Sequence, residues 1–77
     1  MPKIPQISGQ QMVKILEKLG FYFVSKESSH IKLRRKFGQT IQTVIIPDHK
    51  EIRVGTFRNI LRMANLTLVE FEKLRKK

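Results

Sequence analysis

Three strand-like segments follow one another closely between residues 21 and 46 of this 77-residue chain. Aromatic and β-branched residues fill segment 21–26, apolar and polar residues alternate along 29–36, and β-branched residues fill 40–46 before Pro47. The links between the segments are too short for the crossover that parallel strands need, so consecutive strands must pair antiparallel. The sequence therefore predicts a three-stranded antiparallel meander.

Helical periodicity flanks this meander on both sides. Residues 8–19 repeat apolar side chains at the spacing of one helix face, with Ser8 as the candidate N-cap and Gly20 as the candidate left-handed end. Residues 56–64 repeat the same pattern, and Thr56 is the candidate cap of that helix. We expect the apolar faces of both helices to pack on one side of the sheet.

A short helix over residues 68–75 is predicted last. Thr67 and Glu70 have the spacing of a capping box, and Asn65 suits the left-handed end of the preceding helix. The chain is thus predicted to form one α+β domain, residues 1–77, in the order α-β-β-β-α with a short C-terminal helix. Helices on one face of a three-stranded antiparallel sheet leave the other face open.

The open face of the sheet is predicted to be cationic. Alternation along the second strand directs Ile31 and Leu33 to the core, and His30, Lys32 and Arg34 to the opposite side. The whole chain carries 16 Lys and Arg against 6 Asp and Glu, a formal net charge of +10. Such an excess indicates a polyanionic partner, with nucleic acid as the first candidate and general solubility as the alternative.

Composition excludes several kinds of site. The chain has no cysteine, which removes disulfides, thiolate metal sites and a cysteine nucleophile. We recognise no signal peptide and no apolar run long enough for a membrane span, so we expect a cytoplasmic protein. Two histidines and isolated acidic residues do not form a metal-ligand set, and we expect no metal and no other cofactor. His30 is either an acid–base group among cations or an ordinary surface histidine. His49 is either a site residue or a turn residue.

The remaining basic and aromatic residues have two interpretations each. Arg35 extends the cationic segment 26–36, and Arg58 and Arg62 lie one turn apart on the solvent side of the second helix. These groups form either a path for phosphates or solvated faces. Tyr22 and Phe37 either stack on bases or belong to the core and turns.

The order and spacing of these segments resemble one family. The matching pieces are Ser8-Gly9, Leu16-Glu17-Lys18-Leu19-Gly20-Phe21, Ser29-His30, Ile46-Pro47-Asp48-His49, Val54-Gly55-Thr56-Phe57-Arg58-Asn59-Ile60-Leu61, Ala64-Asn65-Leu66-Thr67 and Glu70-Phe71. In this arrangement the chain resembles the HicA family of small toxins, the mRNA interferases of type II toxin–antitoxin pairs.

The resemblance implies a double-stranded-RNA-binding-domain-like fold and RNA cleavage that depends on the histidine of a Gly-Ser-His motif. That histidine falls on His30, while Ser28 stands where the motif has glycine. A Pro-x-His segment also recurs in the family, which makes His49 a secondary site candidate. A HicB-like antitoxin is the partner that the resemblance implies.

The leading hypothesis is therefore a toxin that cleaves mRNA as a metal-independent endoribonuclease, with His30 in acid–base catalysis. The candidate RNA-binding residues are Ser29, Lys32, Arg34, Arg35, Arg58 and Arg62. One alternative is a non-catalytic RNA-binding module of the same fold, and another is a basic protein that binds an acidic protein.

Overall fold

The helices and strands follow one another in the predicted order in the computed structural model, which describes residues 4–76. They are α1 (Gly9–Glu17), β1 (Tyr22–Glu27), β2 (His30–Phe37), β3 (Thr40–Pro47), α2 (Val54–Met63) and α3 (Leu68–Arg75). The strands form one antiparallel sheet in the order β1-β2-β3. The predicted α+β architecture, of the double-stranded-RNA-binding-domain type, is confirmed.

Both ends of α1 follow the local signals in the sequence. Ser8 Oγ accepts a hydrogen bond from the Gln11 backbone N–H at 3.1 Å, and Gln11 Oε1 accepts one from the Ser8 backbone N–H at 2.9 Å. At the other end, Gly20 has a φ of 100°. The backbone N–H of Phe21 there donates to the Leu16 carbonyl, which ends the helix as a Schellman motif. The predicted cap and left-handed end are confirmed.

The later helix ends are confirmed in one case and wrong in another. Thr67 and Glu70 form the predicted capping box of α3, and Asn65 has the left-handed φ of 55° after α2. Thr56, however, does not cap α2, because the helix begins earlier and its N-cap is Arg53, without a side-chain cap hydrogen bond. The backbone N–H of the buried Ile52 donates to a carbonyl of the N-terminal segment, which fixes the chain just before the helix.

The core lies between the helices and one face of the sheet. Within residues 4–76, fifteen apolar side chains are buried there, among them Leu33 and Val44 of the sheet and Met12 of α1. The rings of Phe57 in α2 and Phe71 in α3 meet edge to face, with centroids 5.0 Å apart. This edge-to-face contact joins α3 to the core.

The opposite sheet face is left uncovered, as predicted. Ile31 and Leu33 are buried, whereas His30 is exposed and Lys32 and Arg34 are partly exposed. Register partners share a face in an antiparallel pair, so Tyr22 of β1 and Ile45 of β3 belong to the same open face. None of the helices in residues 4–76 is long and apolar enough to cross a membrane.

The turn between β1 and β2 contains an unusual backbone conformation. Ser28 has a φ of 57°, in the left-handed region that favours glycine. The chain therefore keeps the conformation expected of a glycine at this position although the residue is serine.

Candidate functional site

Strand pairing brings the two histidines to the same end of the sheet. His30 is the first residue of β2 and pairs with Pro47, the last residue of β3. One step further on, the Asp48 backbone N–H donates to the Ser29 carbonyl at 2.6 Å. The residues directly before His30 and His49 are therefore joined by a main-chain hydrogen bond.

The start of α1 fixes the segment that carries His49. The Gly9 backbone N–H donates to the His49 carbonyl at 2.9 Å. A Cβ atom at Gly9 would overlap the Pro47 carbonyl oxygen, so only glycine allows the helix to approach this closely. The His49 backbone is thus held by α1 on one side and, through Asp48, by the β1–β2 turn on the other.

The Asp48 side chain is an anchor of the same segment. Its carboxylate oxygens accept hydrogen bonds from Lys26 Nζ at 2.7 Å and from Gln10 Nε2 at 3.0 Å. These two hydrogen bonds hold the pKa of Asp48 below its ordinary value, and the one from Lys26 has the larger effect. Asp48 therefore ties β1 and α1 to the segment that precedes His49.

Both histidines line one groove. This groove, called the histidine groove below, has a volume of about 500 Å³ and lies along the outer edge of β3, where α2 packs against that strand. Its lining residues are His30, Ile45, Pro47, His49, Arg53, Thr56, Asn59, Ile60 and Met63. In the sequence the two histidines are separate candidates, and the fold brings them together.

The groove combines several kinds of chemistry. Its two imidazoles can accept or donate protons, and the Arg53 guanidinium can hold an anion such as a phosphate. Thr56 and Asn59 supply uncharged hydrogen-bonding groups beside an apolar wall that includes Met63. Such a groove suits a ligand with both a phosphate and an apolar ring surface.

Two of the predicted phosphate contacts lie beside this groove on the open face. Lys32 pairs across the sheet with Ile45, which itself lines the groove. Arg34 lies two residues further along β2, and its Nε donates to Thr43 Oγ1 at 3.3 Å. Lys32 and Arg34 therefore extend the positive charge from the groove along β2.

Arg35 lies on the other face of the sheet, with Ile31 and Leu33. Its guanidinium donates to the main-chain carbonyls of Leu19 and Ala64, at 3.2 and 3.1 Å. These carbonyls belong to the C-terminal ends of α1 and α2, where carbonyl groups lack helical partners and a cation is favourable.

The Arg35 side chain is also enclosed by its neighbours. Its Nε donates to Gln42 Oε1 at 2.6 Å, and its Cζ lies 4.8 Å from the ring centroids of both Phe21 and Phe37. Arg35 is thus occupied in joining two helices to the sheet, and the structure gives no support to its prediction as an RNA contact. Strict alternation from Ile31 and Leu33 was the sequence signal for this placement.

The two arginines of α2 are exposed, as predicted, but their surroundings differ. Arg62 donates to Asn59 Oδ1 at 3.1 Å, next to the histidine groove. Arg58 lines a second groove of about 960 Å³, which it shares with Arg53 and with the Glu72–Arg75 ion pair. Arg53 lines both grooves and is therefore the side chain that connects them.

Several lining residues were missing from the predicted site. Thr56, Asn59 and Met63 follow the i, i+3, i+7 spacing of one helix face, so a stripe beside the apolar face of α2 was the available signal. Arg53 precedes the helix and had no periodic signal. Within residues 4–76, no group of three or more His, Cys, Asp or Glu side chains is placed to hold a metal ion.

Comparison with known proteins identifies the family. No curated protein significantly matches the chain. A family model described as the HicA toxin of bacterial toxin-antitoxin matches residues 9–66, which include the histidine groove, the whole sheet, α1 and α2. Because this match covers well over half of the chain, the resemblance in the sequence motifs is confirmed, and the chain belongs to the HicA family, the toxins of bacterial toxin–antitoxin systems.

Proposed function

We propose that this toxin is an endoribonuclease that cleaves mRNA without a metal ion and uses His30 as an acid–base group. The observation that carries the proposal is the position of His30. It lines the histidine groove and shares the open sheet face with Lys32 and Arg34. An imidazole beside several cations has what RNA cleavage requires, namely proton transfer and stabilisation of a phosphate that gains negative charge.

The RNA path runs from the open face into the groove. Lys32 and Arg34 contact phosphates on the sheet, and Ser29 contacts the backbone at the turn before His30. Arg53 then continues the path to Arg58 in the second groove, while Arg62 lies beside Asn59 on the same helix. Tyr22, which is 53% exposed and is the register partner of Arg34, is available to stack on a base.

The reaction is a transesterification within the RNA strand. The 2′-oxygen loses its proton and bonds to the adjacent phosphorus, and the bond from phosphorus to the 5′-oxygen of the next nucleotide breaks. That 5′-oxygen takes up a proton, so the products are a 2′,3′-cyclic phosphate and a 5′-hydroxyl end. His30 serves one or both of the two proton transfers.

A HicB-like antitoxin is the proposed partner in the cytoplasm. The net charge of +10 favours rapid association with an acidic surface. A partner that covers the histidine groove and the open face blocks the RNA path directly.

The test is RNA cleavage in vitro by purified protein in EDTA. We expect the wild type to cleave mRNA, and we expect His30→Ala to lose about 10²- to 10⁴-fold in rate. Lys73→Ala is the matched control, because it removes an exposed charge of α3 that lines neither groove. Equal cleavage by wild type and His30→Ala refutes the role of His30.

The same experiment separates the alternative function. Wild-type protein that binds RNA in a salt-dependent manner and leaves it intact is a non-catalytic RNA-binding module. Wild-type protein with no RNA affinity at low salt contradicts both hypotheses and favours a protein ligand alone.

A further inference from the structure

We propose that His49 is the second acid–base group of the histidine groove, so that His30 and His49 divide the two proton transfers of RNA cleavage between them. This inference rests on the proposed ribonuclease function. It assigns a chemical role to a residue that lies 19 positions from His30 along the chain.

The two histidines occupy the same place in the fold. Both histidines line the same groove, and both are exposed at its surface. Arg53 lines the groove with them and supplies a cation for the phosphate, whereas Lys32 and Arg34 lie outside it. A phosphate held by Arg53 would therefore have an imidazole available from β2 and another from the segment after β3.

Main-chain hydrogen bonds hold the segments that carry the two histidines. The Gly9 N–H holds the His49 carbonyl, and the Asp48 N–H holds the Ser29 carbonyl. The backbones on which the two imidazoles stand are thus tied to each other and to α1. Acid–base groups need such fixed positions, because a displacement of about 1 Å can cost about 10²-fold in rate.

The chemistry of RNA cleavage calls for two acid–base groups. The attacking 2′-oxygen and the departing 5′-oxygen lie on opposite sides of the phosphorus, so one group serves both poorly. With two histidines, the neutral imidazole takes the proton from the 2′-hydroxyl as the new P–O bond forms. The protonated imidazole gives its proton to the 5′-oxygen as the old bond breaks. Proton exchange with water then restores both groups.

A purely structural role for His49 is a separable alternative. Its backbone carbonyl accepts the hydrogen bond from Gly9, and its side chain is exposed. His49→Ala should therefore keep the fold, which circular dichroism and the melting temperature will verify. A loss of cleavage by a folded His49→Ala protein then reports on the imidazole.

The experiment compares two RNA substrates with His30→Ala, His49→Ala and wild type. One is a short RNA containing a site that the wild type cleaves, and the other carries a bridging sulfur in place of the 5′-oxygen at that site. A thiolate leaves without being protonated, because a thiol is far more acidic than an alcohol. On ordinary RNA we expect each variant to lose about 10²- to 10⁴-fold.

On the sulfur substrate we expect one of the two variants to return to near the wild-type rate, which identifies the proton donor. The other variant should stay slow, because the 2′-hydroxyl still needs a base. If His49→Ala cleaves ordinary RNA at the wild-type rate, the inference is overturned and the role of His30 is left intact. Slow cleavage of the sulfur substrate by both variants also overturns it. Intact RNA with the wild-type protein refutes the ribonuclease function itself.

Discussion

Replacing Arg35 by alanine removes a cation that is bound inside the structure. The guanidinium bridges the carbonyls of Leu19 and Ala64, at the ends of α1 and α2, and contacts the rings of Phe21 and Phe37. Alanine leaves the two carbonyls without a hydrogen-bond donor and the two rings without the cation. The expected result is therefore a large loss of stability, although the residue is a charged one in a strongly basic chain.

The magnitude follows from those contacts. Two guanidinium–carbonyl hydrogen bonds at a part-buried site contribute about 1 kcal/mol each, and the two ring contacts together contribute about 1 kcal/mol. Arg35→Ala should thus lower the free energy of unfolding by about 3 kcal/mol. For a domain of this size, the melting temperature should fall by more than about 10 °C.

Urea unfolding followed by circular dichroism at 222 nm measures this loss. Arg34→Ala is the matched control, since Arg34 lies on the open face and donates a long hydrogen bond to Thr43. Its free energy of unfolding should change by less than about 0.5 kcal/mol. The reasoning is refuted if Arg35→Ala stays within about 0.5 kcal/mol of the wild type, or if the two variants lose equal stability.

Three further predictions concern residues that hold the segments around the groove. Ser28→Gly should raise the free energy of unfolding by about 0.5–1 kcal/mol, because it relieves a φ of 57°, and thermal unfolding will measure this. Gly9→Ala should lower the free energy of unfolding by about 1–3 kcal/mol and slow RNA cleavage, because the alanine Cβ would overlap the Pro47 carbonyl. Gly55→Ala is the control, since its Cβ meets open space, and equal effects of the two variants contradict the prediction. Because the pKa of Asp48 is lowered in the folded state, ionised Asp48 stabilises the fold fully above its ordinary pKa of about 3.9, and this stabilisation is lost as the pH falls below that value. Asp48→Asn should therefore lose less stability than the wild type in acid unfolding curves.

The residues of the histidine groove were only partly predictable, because contacts between distant parts of the chain bring them together. His30 and His49 each appeared as a lone histidine, and neither local pattern indicated the other. Their meeting depends on the pairing of His30 with Pro47 and on the approach of Gly9 to the same segment. Pairing register and helix approach are contacts between distant parts of the chain.

The sequence by itself determined the order of the elements, the antiparallel meander and the two faces of β2. Short links allow only hairpins, and alternation assigns side chains to faces, so this information is local. It also determined the ends of α1 and α3, because their caps lie within a few residues of the helices.

Only the tertiary structure decided what several of these residues do. It placed Arg53 between two grooves, moved the start of α2 away from Thr56, and put Arg35 between helix ends and aromatic rings. The physical reason is that a cation acquires its role from the groups that surround it. For Arg35 those groups come from α1, β3 and α2, which only the packed fold brings together.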